Sequence, residues 1–60
     1  MTEKDAIARL AAKGFSEIEF RYGNEVLVQC ERRGNPYRSA VVTTDRDAGR
    51  AGAVEWLTTH

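Results

Sequence analysis

Ile18-Glu19-Phe20-Arg21-Tyr22-Gly23-Asn24-Glu25-Val26-Leu27-Val28-Gln29-Cys30-Glu31 is the stretch that decides the fold. From Glu17 to Tyr22 charged and apolar residues alternate, the period of a strand with one buried face. Gly23-Asn24 interrupts the alternation and Val26 to Glu31 resumes it, so the two segments read as a hairpin. Residues opposed across a hairpin point to the same face, which lets parity choose the loop. A two-residue loop pairs Phe20 with Leu27 and turns Val26, Val28 and Cys30 to solvent. A three-residue loop, Gly23 to Glu25, pairs Phe20 with Val28 and Ile18 with Cys30, and is the preferred register.

Working outward, Thr2-Glu3-Lys4-Asp5 and Thr44-Asp45-Arg46-Asp47 share one pattern, a hydroxyl to cap a helix and acids in the first turn where the helix dipole favours them. The first helix is predicted over 3–13, with Ile7, Leu10 and Ala11 on one stripe, Gly14 as its left-handed terminator and Phe15 folding back onto Leu10. The second is predicted over 45–58, with Gly49, Ala53, Trp56 and Leu57 on one stripe. Gly49 and Gly52 each cost roughly 1 kcal/mol inside a helix, which implies a close backbone approach, with the alanine-rich first helix as the neighbour. Gly34-Asn35-Pro36 reads as a second turn, followed by a third strand over 37–43 whose inward parity is undecided. The fold class is α+β: a small single domain over 1–60, helix-strand-strand-strand-helix, with two helices on one face of a three-stranded antiparallel meander. The expected core is Ile7, Leu10, Phe15, Ile18, Phe20, Val26, Val28, Ala53, Trp56 and Leu57.

Sixty residues make a marginal core, since a chain of this size buries only about 60% of its unfolded surface. The one cysteine, Cys30, has no internal disulfide partner and reads as a buried apolar residue in a reducing compartment. No apolar stretch follows the charged N-terminus that would serve as a signal sequence or span a bilayer, so a cytoplasmic protein without membrane contact is expected. Formal charge is zero overall, but residues 1–31 hold four cations against six anions (−2) and the remainder five against three (+2). A globally basic nucleic-acid binder has a different balance, while a local basic patch remains compatible.

Catalysis needs reactive groups with partners, and few are present. His60 is the only histidine and reads as a solvated tail; Asp45 and Asp47 read as first-turn helix acids; neither glycine-rich segment joins a strand to a helix as a phosphate loop does. The chain is therefore expected to be no enzyme, with no cofactor, no metal and no small-molecule substrate. Three surfaces remain. Arg32, Arg33, Tyr37 and Arg38 form a basic hairpin tip suited to phosphates, with Tyr37 available to stack on a base. Glu17, Glu19, Gln29 and Glu31 form an acidic docking face, where Glu17 meets Glu31 and Glu19 meets Gln29, with Arg38 the cation placed to separate the charges. Ser39, Val41, Val42 and Thr44 lie along an uncharged third strand that forms an edge open to association.

The order helix, three strands, helix resembles that of double-stranded-RNA-binding domains, and the segment from Thr44 to Ala53 stands where that family opens its second helix. The resemblance implies phosphate contacts there. This chain carries Asp45 and Asp47 at that point, with Arg46 and Arg50 as the cations. The leading expectation is a protein-interaction module that forms a homodimer or binds a protein partner. A small accessory or inhibitor protein of a bacterium or phage fits that role, and seven arginines against two lysines suggest a GC-rich genome. The alternative is a nucleic-acid-binding module using the hairpin tip and the start of the second helix.

Overall fold

The computed structural model describes residues 1–59, and His60 lies outside the described residues. The elements are α1 (Glu3–Ala12), β1 (Ser16–Tyr22), β2 (Val26–Arg32), β3 (Asn35–Val41) and α2 (Arg46–Thr59). The strands form an antiparallel sheet in the order β1-β2-β3, with α2 on β2 and β3 and α1 against β1 and α2. This is the expected architecture.

Local chemistry sets the boundaries. Thr2 Oγ1 accepts the Asp5 N–H at 3.1 Å and starts α1. At the other end Phe15 N–H donates to the Leu10 carbonyl at 3.1 Å and Gly14 N–H to that of Ala11 at 3.0 Å. Gly14 has φ +89°, so this is the Schellman closure, with Phe15 and Leu10 buried in one cluster. For α2 the capping residue is Asp45 rather than Thr44: its carboxylate accepts the Ala48 N–H at 3.1 Å, while Thr43 Oγ1 accepts the Asp45 N–H at 3.0 Å. The strand ends at Val41, so the chain reaches the helix through a braced turn and the cap falls one residue later.

The first hairpin has the three-residue loop, with Tyr22 opposite Val26, Phe20 opposite Val28 and Glu19 opposite Gln29. Below Glu19 the register departs from expectation. Ser16, not Glu17, pairs with Glu31, because β1 carries one extra residue between Ser16 and Glu19, and Glu17 takes φ +52° to make the bulge. Ile18 consequently has no direct partner in Cys30, and the Glu17–Glu31 like-charge pair is avoided. The second turn also differs: Arg32 pairs with Asn35, so the turn is Arg33-Gly34, with φ +55° and +79°. Positive φ at both positions matches the right-handed strand twist. Asn35 and Pro36, which look like turn residues, are therefore the first residues of β3.

The core differs from the expected set at both helices. Ala6, Leu10, Phe15, Val26, Val28, Cys30, Ala53, Val54 and Leu57 are buried; Ile18 and Phe20 pack against the cluster from its margin. Ile7 is 37% exposed and Trp56 54%. The cause is the closeness of α2 to the sheet. A β-carbon on Gly49 would lie 2.3 Å from Val26 Cγ2, and one on Gly52 3.4 Å from Val41 Cγ2. The glycines thus admit the sheet rather than α1. Small Ala6 and Ala53 take the interior positions, and the larger Ile7 and Trp56 turn outward.

Candidate functional site

Strand alternation sorts the three expected surfaces. Tyr37, Ser39 and Val41 are half-buried on the helix side of β3, while Pro36, Arg38 and Ala40 face the open side. This settles the parity of the third strand. On the open side Glu17, Glu19, Gln29 and Glu31 line one shallow depression with Pro36 and Arg38, so the acidic face is brought together. Arg38 stands opposite Gln29. The ion pairs among the described residues are Arg21 with Glu19 at 4.0 Å and Arg50 with Asp47, so Arg38 bridges no carboxylate there.

The basic tip is divided by the sheet. Arg38 lies on the open face, whereas Arg32 and Tyr37 lie on the helix side. The Arg32 guanidinium sits 4.6 Å from the Phe15 ring centre and 5.1 Å from that of Tyr37, and its Nη2 donates to Tyr37 Oη at 3.4 Å. Phe15 meets Tyr37 edge to face, with centroids 5.3 Å apart. Tyr37 is thus held by its neighbours rather than presented for stacking on a base. Arg33 is exposed on the turn.

The expected association edge is shorter than anticipated. Ser39 and Val41 belong to β3, whereas Val42 and Thr44 fall in the connection to α2. In a two-residue hairpin the closing pair exchanges both hydrogen bonds, and the pattern then alternates. Arg32–Asn35, Cys30–Tyr37, Val28–Ser39 and Val26–Val41 are the bonded pairs by that rule. The backbone groups of Pro36, Arg38 and Ala40 therefore point away from β2. Pro36, which has no N–H, occupies one of these outward positions, where it disrupts no ladder bond.

One cluster escaped sequence reasoning. Arg50 Nη1 donates to Tyr22 Oη at 2.7 Å, Nε to the Met1 carbonyl at 2.8 Å, and Nη2 to Asp47; Tyr22 Oη donates to Glu3. Arg46 lies over the Tyr22 ring at 4.6 Å. The Arg50 side chain is only 11% exposed. Both cations at the start of α2 are thereby engaged in tying the two helix N-termini to β1. The hydrogen bond to Tyr22, then that to Asp47, hold the Arg50 guanidinium protonated more firmly than usual. Burial first, and then the bond to Glu3, push the Tyr22 phenol above its ordinary value, against the opposing effect of Arg50. A phenol raised on folding contributes stability that is complete below pH about 10 and is lost as pH climbs through the folded value. The melting midpoint is expected to fall more steeply above pH about 10 in the wild type than in Tyr22→Phe. Equal slopes would refute the role of this phenol.

Burial also raises the Cys30 thiol, only partly offset by Arg32. Iodoacetamide at neutral pH is expected to modify it slowly in the folded protein and quickly in urea, since the thiolate is the reacting species. Rapid native labelling would show that the strand opens. Among the described residues no cluster of three or more histidine, cysteine, aspartate or glutamate side chains is placed to hold a metal ion, and no helix is long and apolar enough to cross a membrane. Compared with known proteins, the chain matches no family model, no curated protein and no solved structure.

Proposed function

We propose that the chain is a non-catalytic protein-interaction module that associates through the outer edge of β3, with a second copy of itself or with a strand of another protein. The observation that carries this reading is the edge. The Arg38 and Ala40 N–H and C=O groups point outward from a sheet whose order ends at β3. Beyond them Val42 is 85% exposed, and it lines one hollow with half-buried Leu27 on the open face. An added strand would satisfy the outward backbone groups and cover this apolar margin, a gain that matters for a chain with so small a core.

The nucleic-acid alternative has weaker support. Its two halves lie at opposite ends of the sheet, since β3 has seven residues and a strand rises roughly 3.3 Å per residue, about 20 Å from turn to end. At the α2 end Arg46 and Arg50 are occupied with Tyr22.

Ala40→Pro tests the edge. It deletes an outward N–H without touching a bond to β2, as Pro36 already does. Sedimentation at micromolar concentration is expected to show a wild-type dimer that Ala40→Pro and Val42→Lys both dissociate, with circular dichroism unchanged. For a protein partner, the same variants are expected to abolish capture. Rapid hydrogen exchange at Arg38 and Ala40 in the monomer and protection in the complex complete the expectation. A complex whose formation leaves those amides unprotected would overturn it.

A further inference from the structure

The corner between the end of α1 and the β2–β3 turn has a feature that edge association leaves unused. Lys13, Gly14, Arg32, Arg33, Asn35 and Tyr37 line a basin of about 530 Å³, within the size range of small-ligand sites. Three of its side chains are cationic and none is a carboxylate. Arg32 is half-buried, and among the described residues no carboxylate lies within ion-pair distance of it. Its guanidinium is nonetheless held against the edge-to-face Phe15–Tyr37 pair and by the Tyr37 hydroxyl, which limits the freedom it has to lose on binding. Gly14, held at φ +89° by the helix closure, borders the Arg32 stem, which a β-carbon there would meet only in ordinary contact at 3.7 Å. Arg33 adds a second indication. It occupies a left-handed position, φ +55°, that glycine, asparagine and aspartate fill with less strain. The turn thus holds a second, exposed cation beside the unneutralised Arg32.

We infer that this basin binds a phosphomonoester, with Arg32 and Arg33 donating to its oxygens and Lys13 supplying a third charge. A terminal phosphate carries close to two negative charges at neutral pH, whereas a backbone phosphodiester carries one. The cations also form a corner rather than a track. Arg38 lies across the sheet, and Arg46 and Arg50 at its far end. A nucleic-acid groove needs charge repeated along its length, so one terminal group is the better match.

The test is amide and arginine side-chain NMR of the whole chain titrated with inorganic phosphate, then with a ten-nucleotide single strand bearing a 5′-phosphate or a 5′-hydroxyl. Saturable shifts confined to Gly14, Arg32, Arg33, Gly34 and Asn35 are expected with phosphate and with the 5′-phosphorylated strand. The 5′-hydroxyl strand is expected to bind at least about tenfold more weakly, since it lacks the charge-assisted bonds. Tighter binding of the phosphorylated strand than of inorganic phosphate assigns the source to a nucleic-acid end, and equal binding to a small phosphorylated molecule. Arg33→Asn keeps a residue suited to the turn while removing the cation, so its expected loss of about tenfold in affinity with an intact fold separates binding from folding. Arg32→Gln is expected to weaken binding similarly, and Arg38→Gln, on the other face, to leave it unchanged. Shifts that fail to saturate, equal binding of the two strands, or an equal loss in Arg38→Gln would overturn the assignment.

Discussion

Leu10→Ala is expected to remove about 2–5 kcal/mol of stability, while Ile7→Ala, one position round the same helix from the buried stripe, removes well under half of that. Leu10 is fully enclosed among Ala6, Phe15, Val28 and Ala53 at the junction of both helices and the sheet. Its truncation loses the transfer energy of its methyl groups and leaves a cavity that a close-packed neighbourhood fills only partly. At roughly 0.05–0.15 kcal/mol per residue, the whole chain of 60 residues holds about 3–9 kcal/mol. Leu10→Ala is therefore expected to leave much of the population unfolded at 25 °C, and Leu10→Met to cost under about 1.5 kcal/mol. Urea midpoints with unchanged slope check both. Equal losses at Leu10 and Ile7 would mean that α1 presents the other stripe.

That contrast also shows how far the sequence could be read. Parity in the first hairpin was decisive because Val26, Val28 and Cys30 have only one apolar face to occupy, and Thr2 and Gly14 mark α1 through local bonds. Helix phase was not legible in this way. Hydrophobic size ranks Ile7 and Trp56 above Ala6 and Val54, but the close approach of α2 to β2 rewards small side chains, and that approach is a property of the assembled layers. Gly34-Asn35-Pro36 has the composition of a turn, whereas Arg33 at positive φ does not, so composition points one residue past the true turn. The bulge at Glu17 carries no glycine to announce it.

The surfaces divide along the same line. The acidic residues of the open face follow from alternation alone. The basic tip does not, because Arg32 and Arg38 are separated by which side of β3 each one faces or opposes. The Arg50 cluster joins residues 28 and 49 positions apart, Tyr22 and Met1, and no local pattern reports such pairs. Its consequence reaches the functional reading: the cations that α2 seemed to offer to phosphate are those that fasten it to β1.

Gly49→Ala and Gly52→Ala are expected to act in opposite directions, although both replace glycine by alanine within one helix. Each gains up to about 1 kcal/mol from helix propensity, so the difference lies in what the new methyl meets. At Gly52 it meets Val41 methyl carbons at 3.4 and 3.8 Å, ordinary contact, and the gain survives. At Gly49 it would lie 2.3 Å from Val26 Cγ2, 2.7 Å from Val26 Cβ and 3.0 Å from Thr43 Cγ2. Val26 is buried and β-branched, and its Cβ is fixed to the strand backbone, so no rotamer change clears the overlap. The helix must lift from β2, with overpacking of about 1–3 kcal/mol outweighing the propensity gain. Pairing Gly49→Ala with Val26→Ala removes the nearest obstruction, the Val26 γ-methyl, while Cβ stays, and the double variant is expected to lose less than the sum of its singles by about 1 kcal/mol. Urea denaturation of the four variants measures all of these quantities. A Gly49→Ala protein as stable as Gly52→Ala would mean that α2 stands farther from the sheet than this packing requires, and the outward turn of Trp56 would then lose its explanation.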